Sequence, residues 1–456
     1  MDQKVNITVD FNEKTGKIKP MHGIGQPPLT GLSNSMFHYL SRAGIPYSRL
    51  HDVGGWMGGG LYVDIPNLFP DFDADENDEA SYDFAYTDVI IKGLIDNGCE
   101  PYFRLGVTIE NPHMIKAHRI FPPKDLEKWA RICEHVIRHY IDGWANGFFY
   151  SITYWEIWNE PDDCFTDELA AMWKGTPQEY YCLYSVTAKH LKECFGSRIK
   201  VGGYGHCGVY EYKKDPMLSG IEKVEYIYDF TIDFMHGFFK HIQEENAPLD
   251  FFSWHVYDNC HESVRNDFTV IAEHAEYCRK ILDRYGFTQT EHHLNEWNLH
   301  TDRYRRDDPI ASAKTLGFML MMQNTSTDVM CFYDGGLGFS DYRSLFSADN
   351  GKPYRTYYAI AMFNTLYALG SQFKAESDGK KVFVNAAKKG KKAAVVISNA
   401  NKYAVEVALD ISGFPINEAQ LARIDDENRY TLTGESLTPT VTMPPYSCLE
   451  IKLFDI

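Results

Sequence analysis

Tyr154-Trp155-Glu156-Ile157-Trp158-Asn159-Glu160-Pro161 reads as a short apolar strand ending in a polar turn that proline closes. Such a strand between helix-patterned segments belongs in a parallel sheet, whose strand ends carry chemistry. Working outward, similar runs recur near Ile18–Ile24, Pro46–His51, Pro101–Leu105, Ser151–Ile157, Ile199–Gly203, Phe251–Tyr257, Glu291–Glu296 and Val329–Tyr333. Between them lie stretches with apolar residues at helical spacing, such as Leu126, Trp129, Ile132, Val136 and Ile137. Eight strand–helix pairs predict a closed (β/α)8 TIM barrel, an α/β fold, rather than an open doubly wound sheet.

Past Gly370 the pattern changes to short alternating runs, among them Val382-Phe383-Val384, Ala393–Ser398, Val405–Leu409 and Leu449–Leu453, separated by Gly, Asn, Asp and Pro. This predicts a smaller antiparallel β-sandwich. Val5-Asn6-Ile7-Thr8-Val9 alternates in the same way, so residues 15–369 are expected to form the barrel, and residues 1–14 with 370–456 the accessory domain. A chain of 456 residues is long enough for two cores.

The formal charge of -18, from 63 acidic against 45 basic side chains, disfavours nucleic acid and anionic membrane as partners. No stretch is apolar enough to span a bilayer, and no secretory signal is visible at the start, so a cytoplasmic location is expected. The ten cysteines include no CxxC pair and are expected to be free thiols. The partner expected is a small-molecule or oligosaccharide substrate, with a homo-oligomer open through the accessory domain.

The chemistry follows from where carboxylates fall. Side chains at the C-terminal ends of barrel strands face the active-site mouth. Cleavage of a glycosidic bond needs a protonated carboxylic acid beside the leaving oxygen and a second carboxylate across the sugar ring. Glu160 suits the first role, with Asn159 beside it for a sugar hydroxyl. The second falls to Glu296, in His293-Leu294-Asn295-Glu296-Trp297-Asn298 at the end of the seventh strand. At the sixth strand, His255 and Tyr257 share one face and are placed to orient the nucleophile. Arg49 and His51 do the same at the second strand, for the nucleophile and a sugar hydroxyl respectively. Tyr333 closes the eighth strand. Sugar faces stack on aromatic rings, which makes Trp158 and Trp297 candidate pocket walls.

Competing motifs lack their context. Gly203-Tyr204-Gly205-His206-Cys207-Gly208 has dinucleotide-loop spacing, but the segment that follows leads to Pro216 rather than opening a helix. His135 and His139 lie four apart without an HExxH or a cysteine cluster, so neither a metal nor a cofactor is expected, and no GxSxG occurs, so a serine hydrolase is not supported. A barrel that binds sugars without turnover would present the same aromatic residues; carboxylates at both positions favour the enzyme.

A strand ending in Asn159-Glu160-Pro161 with a later one ending in Glu296 resembles the clan A glycoside hydrolases, and among them family 39, which includes β-xylosidases and α-L-iduronidase. The resemblance is carried by Arg49-Leu50-His51, Tyr82–Tyr86, Tyr154–Asp162, Lys200–Gly203, Trp254–Tyr257 and Glu296-Trp297-Asn298. It implies a retaining double displacement with Glu160 as acid/base and Glu296 as nucleophile, exo-acting on small β-linked glycosides such as β-xylosides. Another sugar, as in β-galactosides, β-glucosides or α-L-arabinofuranosides, is the alternative. The chain departs from the pattern at Asn295, where Thr or Ser is more usual, at Asp258, where Pro is, and in the glycine-rich Val53–Phe72 segment expected to border the pocket.

Overall fold

The computed structural model describes residues 3–30, 33–53, 62–109, 119–163, 171–215, 217, 227–299, 307–337, 344–434 and 436–455. Most of the glycine-rich part of Val53–Phe72 lies outside them. Strand β1 (Gln3–Lys17) opens the chain, and eight parallel strands then close into a barrel in sequence order. These are β2 (Gly23–Gly25), β3 (Tyr47–Leu50), β4 (Glu100–Leu105), β5 (Tyr154–Ile157), β6 (Lys200–His206), β7 (Phe251–Tyr257), β8 (Glu291–Asn298) and β9 (Val329–Tyr333).

The first barrel strand is shorter than predicted. Ile18 donates its N–H to Gly370, Lys19 donates to the Gln323 side chain, and Pro20 has no N–H, so pairing begins only at Gly23.

Helices cover the barrel for the reasons their sequences suggest. Leu126–Ile141 is capped by the Asp125 carboxylate and buries Trp129, Ile132, Val136 and Ile137. Pro177–Phe195 starts with proline in its first turn and a reciprocal capping box between Thr176 and Glu179. Inside the barrel, Tyr102 stacks on Tyr154 and Phe251 on His293, sealing the bottom with rings so that polar groups collect above them.

The remaining strands form one curled sheet in the order β15-β14-β17-β12-β11-β10-β1-β13-β16, made of β10 (Ser371–Ser377), β11 (Val382–Lys389), β12 (Lys392–Asn399), β13 (Val405–Ser412), β14 (Glu418–Ile424), β15 (Thr431–Thr433), β16 (Thr440–Met443) and β17 (Ser447–Phe454). Every neighbouring pair is antiparallel except β1 with β13, which run parallel. The curl lets Val5, Ile7, Val9, Val395, Val407 and Ile451 share a core of their own. Its other face packs on the helices Pro309–Met322 and Arg355–Leu369. Pro309–Met322 is therefore apolar on nearly all sides, lying between barrel and sheet. Asn385 and Ser398 lock the contact by donating to the carbonyls of Leu320 and Ala313 at 2.7 Å each.

Among the described residues no helix is long and apolar enough to cross a membrane, and the described cysteines are free.

Candidate active site

Period-two alternation turns His293 inward, Leu294 outward and Asn295 inward along β8, which would send Glu296 out into the helical layer. A bulge prevents this. Trp254 of β7 pairs with Leu294 and the next residue, His255, with Glu296, so Asn295 is the extra residue and Glu296 re-enters the barrel mouth. Both side chains then point inward: Asn295 Nδ2 donates to Glu156 Oε1 at 2.6 Å, and Glu296 accepts from Tyr257 and Arg49.

Arg49, fully buried, organises the floor of the mouth. Its Nε donates to Glu156 Oε2 at 2.7 Å, its Nη1 to Glu296 Oε2 at 2.7 Å and its Nη2 to Asn159 Oδ1 at 2.5 Å. Tyr257 OH donates to Glu296 Oε1 at 2.5 Å, so each oxygen of Glu296 has a donor. Burial works against ionisation of Glu156, but Arg49, Ser253 and Asn295 outweigh it and hold its carboxyl below the usual range.

Glu160 stands opposite. Its Oε1 is 2.6 Å from His255 Nδ1, and that nitrogen is 3.9 Å from Glu296 Oε2. An oxygen of each glutamate and the His255 nitrogen lie within 4.8 Å of one another. Burial first, then the charges of Glu296 and Asp162, push the Glu160 carboxyl well above the usual carboxylate range. Burial also lowers His255 to about 4, leaving it a neutral imidazole at neutral pH. Trp158, Glu160 and Asp52 take positive φ values of 73°, 41° and 56°. Non-glycine residues held this way cost about 1–3 kcal/mol each and collect at functional sites.

Tyr333 donates its hydroxyl to Asp52 Oδ2 at 3.1 Å, and His51 Nε2 is 3.3 Å from Asp52 Oδ1. Burial raises Asp52 to about 7, helped by the nearby charge of Glu296. Among the described residues, the buried polar atoms with no protein partner include Asn159 Nδ2, His51 Nδ1, His255 Nε2, and Nε and Nη1 of Arg104, all on strands or turns that form the mouth. Groups of this kind call for a ligand or water.

The structure thus brings together Glu160, Glu296, Asn159, Arg49, His51, His255, Tyr257 and Tyr333. His255 sits on Glu160 more closely than on Glu296; the Glu296 carboxylate is held by Tyr257 and Arg49. The two tryptophans are corrected. Trp158 is 1% exposed, donates to the Met172 carbonyl and packs edge-on against Trp173. Trp297, fully buried, lies edge-on to Phe318 and Phe332 behind the barrel wall. Trp297 adjoins the inward Glu296 and so faces outward, whereas Trp158 lies past the end of β5 with a positive φ, and its indole is held by the Met172 carbonyl and Trp173.

Glu156 and Arg104 were missed, although a charge in an apolar strand at an inward position was a legible signal; Arg104 pairs in register with Glu156 and donates to Asp64 at 2.7 Å. His139 is not free for a metal, being 3.0 Å from Asp88 and 2.9 Å from the Trp144 carbonyl.

Residues 44–376 match the model of glycosyl hydrolases family 39, and the chain belongs to that family. It is 26% identical over 209 residues to a β-xylosidase of Geobacillus stearothermophilus, covering 44% of this chain and 35% of that protein. To a β-xylosidase of Caldicellulosiruptor saccharolyticus it is 27% identical over 216 residues, covering 44% of this chain and 40% of the other. The chain thus spans well under half of these relatives. Among solved structures, a glucosidase from Croceicoccus marinus superposes with a TM-score of 0.79 at 20% identity, over 100% of this chain and 99% of that one, which shows the shared fold.

Proposed function

We propose that this chain is a retaining glycoside hydrolase, with Glu160 as acid/base and Glu296 as nucleophile, acting from the ends of small β-linked glycosides, β-xylosides first among them. In this reading residues 15–369 are the catalytic unit, and residues 1–14 with 370–456 the accessory one.

The observation that carries the mechanism is the approach of the two carboxylates, whose nearest oxygens lie within 4.8 Å. Retaining pairs stand about 5–5.5 Å apart, whereas inverting pairs need about 6.5–9.5 Å to admit a water. The electrostatics divide the roles. The Glu160 carboxyl is pushed well above the usual carboxylate range, which favours its protonated form, whereas Glu296 receives a charged donor from Arg49 and a hydroxyl from Tyr257. Glu296 attacks the anomeric carbon as Glu160 protonates the leaving oxygen. Glu160, now a carboxylate, takes a proton from water, which displaces Glu296 and restores both groups.

Unpaired donors on Asn159 and Arg104 suit the hydroxyls of a neutral sugar. The β-xylosidases among the relatives favour xylose.

The test is a panel of nitrophenyl glycosides covering β-xylose, β-glucose, β-galactose and α-L-arabinofuranose. Fastest release from the β-xyloside is expected. Faster release from another sugar would replace xylose, and release from none, with sugar binding retained, would leave a non-catalytic barrel.

A further inference from the structure

The glycine run Gly203-Tyr204-Gly205-His206-Cys207-Gly208 opens no helix; its backbone instead grips the loop that carries Glu160. The Glu160 N–H donates to the carbonyls of Tyr204 at 3.2 Å and Gly205 at 3.0 Å. Two residues on, the Asp162 carboxylate bonds His206 Nδ1 and accepts the Cys207 N–H at 3.2 Å. The side chains of this Asp–His pair are sealed from solvent. Gly205 donates to Ser253 Oγ at 2.8 Å, and Ser253 Oγ donates to Glu156 Oε1 at 2.6 Å, so the same turn is tied to the carboxylate that shares Arg49 with Glu296. At Gly205, where φ is 67°, a Cβ would lie 3.1 Å from His255 Nε2 and 3.2 Å from Asn159 Oδ1.

We propose that the glycine-rich end of β6 is a positioning clamp for the acid/base carboxylate, and that Asp162 latches the Glu160 loop into it. The inference rests on Glu160 being the acid/base. Glu160 is in the left-handed region, which its own sequence does not favour, so the bonds to β6 have to hold it there. Misplacement of a reacting group by about 1 Å costs on the order of a hundredfold in rate.

Asp162 also acts through its charge. Among the described residues, the ionisable groups facing Glu160 are His255 from β7, Glu296 from β8, Arg49 and Asp52 from β3 and its turn, Asp162 and Asp163 from its own loop, and Cys207 and Cys260 from the loops after β6 and β7. Asp162 opposes ionisation of Glu160, so removing its charge moves the Glu160 titration to lower pH.

The experiment compares Asp162→Asn and Gly205→Ala with the unaltered full chain, measuring kcat/KM on aryl glycosides of graded leaving-group acidity and across pH. Both variants should lose about 10–100-fold on poor leaving groups and little on dinitrophenyl glycosides, because the acid is what has moved. For Asp162→Asn the basic limb of the profile should also fall to lower pH. Equal loss on all leaving groups, or an unmoved basic limb, would overturn the clamp. Should Asp162→Asn not fold, the leaving-group dependence of Gly205→Ala decides. An unaltered chain that cleaves no glycoside would refute the Glu160 assignment itself, and the clamp with it; normal turnover with uniform loss in the variants would refute the clamp alone.

Discussion

Arg49 Nη1 lies 2.7 Å from Glu296 Oε2 while the same guanidinium holds Glu156 and Asn159, so one buried cation joins β3, β5 with its following turn, and β8. Only a planar fork can do this; an ammonium has one point of charge. Arg49→Lys is expected to lower kcat/KM at least about a hundredfold and to destabilise the fold by about 3–5 kcal/mol, the cost of breaking a buried pair. Kinetics and urea unfolding check the two parts, and near-normal kinetics would mean that Glu296 is not the group Arg49 serves.

In the proposed mechanism Glu160→Gln removes the proton donor but keeps the shape. Glycosides with very acidic leaving groups should keep kcat/KM within about tenfold, whereas alkyl glycosides should lose about 10²–10⁴-fold. Azide should speed turnover of the activated substrates by replacing the water that Glu160 would activate. Equal loss on both classes would move the acid role elsewhere.

Trp297 and Tyr257 face opposite sides of the barrel wall, which separates structure from catalysis. Trp297→Phe should cost about 1–3 kcal/mol in stability and leave KM unchanged. Tyr257→Phe should stay folded and lose about ten- to a hundredfold in kcat/KM, because its hydroxyl donates to Glu296 at 2.5 Å. A raised KM with intact stability in Trp297→Phe would return that ring to the pocket.

Asp52 has its carboxyl raised to about 7 by burial, against an ordinary value of 3.8. A raised acid favours the folded state fully below the unfolded value, and that contribution fades as pH rises through the folded one. Its share of stability should therefore decline between about pH 4 and 7. Asp52→Asn should flatten this slope in a melting-temperature series; a slope identical to that of the unaltered chain would contradict the assignment.

Periodicity and strand ends made the barrel, the accessory sheet, and Glu160 and Glu296 as candidates legible in the sequence. What it hid depends on contacts between distant strands. The bulge at Asn295 is defined only by pairing with β7, yet it decides that Glu296 faces inward. Trp158 and Trp297 looked like sugar platforms because they lie close in sequence to the carboxylates, but alternation sends Trp297 outward and the turn after β5 packs Trp158 against Trp173. The glycine run of β6 had the spacing of a phosphate loop, and only its bonds to Glu160 and Asp162 reveal what it holds.

The most direct test of the central claim is incubation with an activated 2-fluoro-β-xyloside, followed by peptide mass mapping. The fluorine slows both steps, so a covalent glycosyl-enzyme should accumulate at one sugar per chain, on the peptide containing Glu296. Label on any other residue, or turnover of β-xylosides with inversion and no label, would contradict the double displacement through Glu296.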